Sequence, residues 1–369
     1  MRFSMTTESL LKPLQAVHGV VERRQTLPIL SNVLVVAKEG VLSLTGTDME
    51  VELIARTHVD DMEDGEITVP ARKFVDICRA LPSEGEVKFN VDGERVELKC
   101  GKSRFNLTSI AASDFPSTDS PADATRLKLS SAQLKRLIEL TQFAMAQQDV
   151  RYYLNGMLFE IEGSRLRTVA TDGHRLALAE CELSEPVEGG DRQLILPRKG
   201  VVELGKMLGS SDEEIELVLG QNAVGLDTES MSFSSKLIDG RFPDYRRVIP
   251  IRGDTDKEIR ADREALRQSL QRAAILSNEK YRAVRLCLES GALSIVASNP
   301  EQEQAEDQIE VDYEGESLEI GFNVSYLIDA LTAVPGEIAR VFLTDASSSC
   351  LIVPEEGEGC EYVVMPMRL

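Results

Sequence analysis

The chain has 369 residues, of which 42% are hydrophobic, so it can bury the cores of two or three domains. Its formal charge of −21 argues against a protein whose whole surface binds nucleic acid. The six cysteines form no CxxC pair and no metal-ligand spacing, which predicts reduced thiols and no cofactor. No apolar run approaches the ~20 residues that span a bilayer, and the first residues lack a signal-peptide core, so we expect a soluble cytoplasmic protein.

The first third of the chain predicts a helix, strands, a second helix and further strands. Leucine and valine at helical spacing indicate a helix over 6–21. Alternating apolar residues over 32–59 predict strands that turn at Gly40. A second helix is predicted over 69–81, because a proline stands near its start and apolar residues follow on one face. Strands over 87–107 complete the set.

The same order of elements recurs twice more. Gly163 and Gly291 take the hairpin position of Gly40. The apolar helix positions recur at Leu134, Ile138, Val201, Leu204 and Leu208, and again at Leu266, Leu270, Leu327 and Val334. Polar, proline-bearing segments over 116–127 and 250–258 predict linkers. We therefore predict three tandem α+β domains over 1–125, 126–250 and 251–369, each with two helices on an antiparallel sheet.

One corner of this repeat carries the residues that most resemble a catalytic site. A strand-like segment ends in a hydroxyl residue followed by Asp48, by Asp172 or by Asn299, at steps of 124 and 127 residues. The middle copy continues with Gly-His-Arg over 173–175, so Asp172 and His174 could be half of a hydrolase dyad. No Gly-x-Ser-x-Gly elbow accompanies them, which favours a shared structural turn and a protein that is not an enzyme.

The predicted helices differ in charge from the rest of the chain. With their flanks they contain sixteen basic and nine acidic residues, a net +7, against −28 for the remainder. Lysine-rich helix faces often serve only solubility. The same basic helix face repeated in three domains, however, favours a surface that contacts phosphates. No aromatic-rich base-reading patch or zinc finger is apparent, so the predicted contact with nucleic acid is indifferent to sequence.

Five long motifs resemble the bacterial DNA polymerase III beta subunit family, the sliding clamps. They are Thr-Leu-Pro-Ile-Leu at 26–30, Gln-Asp-Val-Arg-Tyr-Tyr-Leu-Asn-Gly-Met at 148–157, Thr-Asp-Gly-His-Arg-Leu at 171–176, Asp-Gly-Arg-Phe-Pro-Asp-Tyr-Arg-Arg at 239–247 and Tyr-Val-Val-Met-Pro-Met-Arg-Leu at 362–369. The resemblance covers essentially the whole chain. It implies DNA-clamp domains, a head-to-tail homodimer that forms a six-domain ring around duplex DNA, and helices that line the hole.

The resemblance also implies roles for particular residues. DNA-contacting positions match Arg24, Gln148, Tyr152 and Tyr153. A groove for short peptide motifs matches Leu154, Thr171, Gly173, His174, Arg175, Leu176, Pro243, Arg247, Val248, Val363, Val364, Met365, Pro366, Met367 and Arg368. The contact between protomers matches Lys73, Lys102, Arg104, Phe105 and Leu107 in the first domain and Ile275, Leu276, Glu301, Glu303, Glu306 and Asp307 in the third.

The implied partners are double-stranded DNA, a second copy of the chain, and proteins that carry short peptide motifs. In the family these proteins are the DNA polymerase III alpha subunit, the clamp-loader delta subunit, other DNA polymerases, ligase and mismatch-repair proteins. Gln304 interrupts the acidic row of the protomer contact and weakens its expected electrostatic part, and Gln147 has no assigned role. The competing hypotheses are a hydrolase that uses Asp172 and His174 and a monomeric peptide-binding scaffold without a DNA role.

Overall fold

The computed structural model describes residues 1–22, 27–116, 124–187, 190–253, 257–356 and 359–368. The first run of elements is β1 (Arg2–Thr6), α1 (Thr7–His18), β2 (Asn32–Lys38), β3 (Val41–Thr47), β4 (Val51–His58), β5 (Met62–Glu63), β6 (Gly65–Pro70), α2 (Ala71–Ala80), β7 (Glu86–Asp92), β8 (Arg95–Cys100) and β9 (Ser103–Thr108). The second is β10 (Thr125–Ser130), α3 (Ser131–Thr141), β11 (Gly156–Glu162), β12 (Arg165–Thr171), β13 (Arg175–Glu182), β14 (Arg192–Pro197), α4 (Arg198–Met207), β15 (Glu214–Leu219), β16 (Ala223–Asp227) and β17 (Met231–Lys236). The third is β18 (Lys257–Asp262), α5 (Arg263–Ala274), β19 (Ala283–Glu289), β20 (Ala292–Ser298), β21 (Gln304–Glu310), β22 (Leu318–Asn323), α6 (Val324–Ala333), β23 (Ile338–Leu343), β24 (Cys350–Pro354) and β25 (Cys360–Val364).

This order confirms the threefold repeat of helices and strands. Gly40, Gly163 and Gly291 have φ values of 79°, 61° and 74°, so each supplies the left-handed residue that its predicted hairpin needs. The predicted linkers were too long at their ends, because β10 begins at Thr125 and β18 at Lys257. Their middle parts, 117–123 and 254–256, lie outside the described residues.

The chain divides into two compact units, and the first consists mainly of Met1–Ala132 and Lys199–Leu237. It has a five-stranded sheet, β5-β1-β7-β8-β9, and an eight-stranded sheet, β10-β15-β16-β17-β4-β3-β2-β6. In the larger sheet β17 of the second run pairs antiparallel with β4 of the first, and Phe233 stands opposite Leu53. Helix α1 packs on β3 and β4 with its fully buried leucines. The sheet therefore joins two consecutive repeats.

The second unit consists mainly of Gln133–Pro186 and Ile238–Leu369. Its eight-stranded sheet, β14-β11-β12-β13-β25-β24-β23-β18, joins the second and third runs where β13 pairs with β25. A four-stranded sheet, β21-β20-β19-β22, completes it, and α5 packs on α6, β20 and β21. The sequence predicted antiparallel sheets in each repeat but did not predict that consecutive repeats share them.

The thiols agree with the prediction from cysteine spacing. All six cysteines lie in described segments and are free, four of them buried and two half-buried. Burial raises the pKa of the Cys78 thiol to about 12, so this group stays protonated at neutral pH. Among the helices in the described ranges, none is long and apolar enough to cross a membrane.

Candidate functional site

The repeated acidic or amide residue accepts backbone hydrogen bonds at the corner of each run, and the first two runs share the same pattern. The Oδ1 atom of Asp48 accepts hydrogen bonds from the backbone amides two and three residues later, at 2.9 and 2.7 Å. The Oδ1 atom of Asp172 does the same at 2.9 and 3.1 Å. In the third run, Asn299 Oδ1 accepts from the amide of Glu303 at 2.9 Å. These are Asx-type turns, in which a side chain satisfies backbone donors at a strand end.

The middle corner does not assemble the hydrolase dyad that Asp172 and His174 offered as the competing hypothesis. While Oδ1 of Asp172 holds the two backbone amides, Oδ2 accepts from Arg175 Nε at 3.1 Å. The ring of His174 instead stacks on Tyr326, with centroids 6.2 Å apart and planes inclined by 16°. Gly173 has a φ of 88°, which a side chain would strain. Asp172 is therefore an architectural residue, as the repeat favoured.

Arg175 is a buried link rather than an exposed wall of the corner. Its side chain is only 13% exposed and bonds to the carboxylates of Asp172 and Asp329 and to the carbonyl of Phe143, the last at 2.8 Å. The guanidinium carbon also lies 4.6 Å from the centroid of the Tyr326 ring and 5.3 Å from that of Phe143. Arg175 thus fastens the corner to α6 and to the end of α3.

The predicted groove residues come together around this corner in the second unit. Leu154, Leu176 and Val363 are buried in one apolar cluster that also contains Phe242 and Tyr245. The more exposed members are His174, Pro243, Arg247, Val248, Met365, Pro366, Met367 and Arg368, whereas Thr171 and Val364 are buried. These positions combine a buried apolar cluster with more exposed methionine and arginine side chains, a composition that suits adaptable recognition of apolar peptide side chains.

The C-terminal segment is held at the rim by its backbone. The amide of Met365 donates to the carbonyl of His174 at 2.9 Å, and the amide of Met367 donates to the carbonyl of Gly321 at 2.8 Å. The hydroxyl of Ser349 lies 3.1 Å from the sulfur of Met365. Leu369 lies outside the described residues. The segment therefore continues from β25 along the corner, as part of the same surface.

A tight loop beside the corner carries the residues that match DNA-contacting positions. Tyr152 is 57% exposed, and its ring meets that of Tyr153 edge-on at 5.7 Å between centroids. Gln148 has a φ of 56°, and the carboxylate of Asp149 pairs with Arg151 at 2.9 Å. Hydrogen bonds from Arg151 hold the pKa of Asp149 down to about 2, so this pairing persists well below neutral pH. Arg24 lies outside the described residues.

The residues of the predicted protomer contact lie on and beside two edge strands, at the start of α2 and directly after α5. Within the described residues β9, which carries Arg104, Phe105 and Leu107, pairs only with β8, and β21 pairs only with β20. At the end of α5, Ile275 is 77% exposed and Leu276 is half-buried. The remaining members, Lys73, Lys102, Glu301, Glu303 and Glu306, are exposed. Each edge therefore presents unpaired backbone groups beside apolar side chains.

Part of the predicted basic surface is committed to contacts within the chain. Lys199 Nζ pairs with the carboxylates of Asp48 and Glu22, and Arg272 pairs with Asp307 at 2.6 Å. Helix α6 contains no lysine or arginine at all. The positive potential on the helices is therefore weaker than residue counting indicated, and the acidic set of the protomer contact loses part of its charge to Arg272.

Comparisons with known proteins show the family that the chain resembles. Residues 1–119, 128–244 and 246–368 match the family models described as the N-terminal, central and C-terminal domains of the DNA polymerase III beta subunit. A beta sliding clamp of Pseudomonas putida is 54% identical, with all of both chains covered. Sliding clamps of Pseudomonas aeruginosa and Bartonella birtlesii, each solved bound to griselimycin, are 51% and 38% identical, with TM-scores of 0.94 and complete coverage of both chains.

Proposed function

The chain belongs to the DNA polymerase III beta subunit family, the sliding clamps, and we propose that it closes as a head-to-tail dimer around duplex DNA. The observation that supports this arrangement most directly is the pair of open edges, β9 in the first unit and β21 in the second. Joining β9 of one copy to β21 of another satisfies both rows of backbone groups. Because each chain has both edges, two copies can close on each other.

The proposed contact combines apolar anchors with a charged rim. Phe105 and Leu107 of one copy would meet Ile275 and Leu276 of the other. Lys73, Lys102 and Arg104 would face the acidic residues Glu301, Glu303, Glu306 and Asp307. Arg104 already pairs with Glu97 in its own chain. The apolar anchors should therefore supply most of the affinity, since exposed ion pairs contribute less than about 1 kcal/mol each.

DNA inside such a ring would be held mainly by topology. We propose that Gln148, Tyr152 and Tyr153, together with Arg24, touch the duplex without reading its sequence. The exposed Tyr152 and the half-buried Tyr153 lie on a short, hydrogen-bonded loop and can rest against sugars and phosphates, while charges more than about 8 Å away are screened by salt. Contacts of this kind position a duplex and still allow it to slide.

A linearisation experiment tests topological binding. The protein is loaded on nicked circular DNA with a clamp loader, and the circle is then cut at one site. We expect retention on the intact circle and loss within minutes from the linear product, measured by gel filtration of the labelled protein. Blocking both ends of the linear DNA with bound protein should restore retention. Equal retention on open linear and circular DNA would contradict encirclement.

We propose that the groove beside the Asp172 corner recruits partners through short peptide motifs. The apolar floor of Leu154, Leu176 and Val363 would take apolar peptide side chains, and the methionine rim would adapt to related sequences. The proposed partners are the DNA polymerase III alpha subunit, the clamp-loader delta subunit, other DNA polymerases, ligase and mismatch-repair proteins. Tethering such proteins to DNA makes the chain a processivity factor in replication.

Replacing His174 with alanine should weaken binding at this groove. Griselimycin, measured by isothermal titration calorimetry, serves as the probe, and we expect its dissociation constant to rise about tenfold, because one stacked wall of the groove is removed. His58→Ala, an exposed histidine at the end of β4, is the matched control and should leave binding unchanged. Unaltered affinity of the His174 variant would place the binding surface elsewhere.

We further propose that the chain has no catalytic activity of its own. Both oxygens of Asp172 are held in the corner, so Asp172 does not orient His174 as the carboxylate of a hydrolase dyad would. We propose three domains over 1–125, 126–250 and 251–369 as the functional units, and the cytoplasm, where bacterial replication takes place, as the location.

A further inference from the structure

The structure contains a buried carboxylate that none of the assigned roles uses. We propose that Glu160 is a positioning residue for peptide binding, which acts by fixing the segment 242–248 that forms one wall of the groove. This inference rests on the proposed function of the groove. It adds that the shape of the wall is set from beneath, by a residue that the peptide does not touch.

Glu160 lies on β11 and is 1% exposed. Its Oε2 atom accepts hydrogen bonds from the hydroxyl of Tyr245, from Arg167 Nη1 at 2.8 Å and from Arg246 Nη2 at 2.8 Å. Its Oε1 atom accepts from Gln193 Nε2 at 2.5 Å. A buried carboxylate with four donors is strongly held and is costly to disrupt, because each lost partner leaves buried charge uncompensated. Two of the four donors belong to the wall segment.

The wall segment transmits the position of Tyr245 directly to the groove. Residues Tyr245–Arg247 form a single turn of 3-10 helix, and the amide of Val248 donates to the carbonyl of Tyr245 at 3.1 Å. Phe242 and Tyr245 are buried in the apolar cluster, while Pro243 and Val248 are exposed. The exposed wall residues are thus one turn or less from the anchored tyrosine, which leaves little freedom between them.

The same segment borders a cavity of about 450 Å³. Tyr245, Arg246 and Ile249 line it together with Leu178 and Glu180 of β13. This cavity gives the segment room to shift. Apolar packing of Tyr245 alone tolerates such a shift, since it is not directional, whereas the hydrogen bonds to Glu160 do not. The hydrogen bonds to Glu160 therefore fix the position of the segment 242–248.

The protonation states of the anchor suit this role. Burial on its own would raise the pKa of the Glu160 carboxyl, but the hydrogen bonds from Tyr245, Gln193 and Arg167 outweigh burial and lower it. Burial and the hydrogen bond to Glu160 raise the pKa of Tyr245 to about 12. At neutral pH the carboxylate is thus ionised and the phenol keeps the proton that it donates, so the bond is charge-assisted.

A double-mutant cycle tests the proposal on the full-length dimer. Glu160→Gln, Tyr245→Phe and the double variant are compared with the wild type, with griselimycin as the probe in isothermal titration calorimetry. If losing the anchor leaves the wall correctly placed in about a tenth of molecules, each single variant raises the dissociation constant about tenfold. The double variant should then bind no more weakly than the weaker single variant, because both substitutions break the same anchor, in which Tyr245 donates to Glu160 and accepts from Arg167 at 3.0 Å.

Hydrogen exchange supplies a second measurement. The amides of 246–248 should exchange faster in both single variants, while those of the β11–β12 ladder should keep the wild-type rate. Glu180→Gln is the matched control. It removes a half-buried carboxylate of β13 that pairs with Arg167 at 2.8 Å, and within the described contacts this carboxylate bonds to no residue of the wall segment. We expect its griselimycin affinity to equal that of the wild type.

The possible failures are distinguishable. Wild-type affinity in Tyr245→Phe and Glu160→Gln, or strictly additive effects in the double variant, would overturn the anchor while leaving the groove intact. Failure of the wild type itself to bind griselimycin would instead overturn the proposed function of the groove. Should Glu160→Gln fail to fold, Tyr245→Phe decides alone, since it keeps the buried ring and all charges and removes only the hydroxyl.

Discussion

Replacing Ile275 and Leu276 together with alanine is expected to raise the dissociation constant of the dimer about 1,000-fold. Truncating each apolar anchor should cost about 2 kcal/mol of contact energy, and every 1.4 kcal/mol is tenfold. Ile275 is 77% exposed in the single chain, so its truncation removes contact surface without opening a cavity in the core. Analytical ultracentrifugation at micromolar concentration should show the variant as the 40.7 kDa monomer and the wild type at twice that mass.

A matched variant tests whether the effect is specific to the proposed contact or follows from truncating any exposed apolar side chain. Ile251 is 95% exposed in the same unit but lies outside the proposed contact, so Ile251→Ala should remain a dimer. Phe105→Ala on the opposite edge should weaken the dimer as well, and its effect should overlap with that of Ile275→Ala rather than add to it. A dimer that resists all of these changes would show that the copies join through another surface.

The second large effect is expected in unfolding. Arg175→Ala should lower the free energy of unfolding by about 3 kcal/mol, because it removes the charge-assisted bonds to Asp172 and Asp329 and leaves the carboxylate of Asp172, which is only 18% exposed, without its cation. The loss of contact with the rings of Phe143 and Tyr326 adds to this cost. Urea unfolding followed by circular dichroism measures it. Arg175→Lys should recover only part of the lost stability, because lysine lacks the planar guanidinium group that bonds to two carboxylates at once.

A variant at an exposed arginine tests whether the loss of stability comes from the largely buried position of Arg175. Arg165 of β12 pairs with Glu182 at 3.1 Å and is about half exposed, so Arg165→Ala should change the free energy of unfolding by no more than about 0.5 kcal/mol. The same set distinguishes two roles for Arg175. An Arg175→Ala variant of wild-type stability that no longer binds griselimycin would mean that the guanidinium contacts ligand, rather than supporting the corner from within.

Local sequence patterns predicted the elements well because their causes are local. Helical spacing placed Leu10 and Leu14 on the buried face of α1, and the glycine of each hairpin was recognisable from the left-handed conformation that a two-residue turn requires. The structural role of Asp172 was likewise predictable, since its equivalents at Asp48 and Asn299 occur where no histidine follows. The repeat within the chain thus made it possible to distinguish a structural residue from a candidate catalytic residue.

What the sequence did not predict depends on distant partners. The pairing of β17 with β4 joins residues about 180 positions apart, and no local signal specifies it. The direction of the Arg175 side chain depends on Asp329 of α6, which the groove assignment did not include. Glu160 was recognisable in the sequence, because in β11 it is the acid that stands between two apolar residues. A carboxylate buried in such a run needs hydrogen-bond or ionic partners.

The shared sheets determine where the molecule would break under load. In the first unit β17 and β4 are joined by a continuous hydrogen-bonded ladder, and in the second β13 and β25 are joined in the same way. A tensile force across either seam must rupture several hydrogen bonds and the core beneath them, whereas the edges β9 and β21 have one neighbour each. Force applied to a closed dimer is therefore expected to separate the proposed contact between β9 and β21 before it separates either seam within a chain.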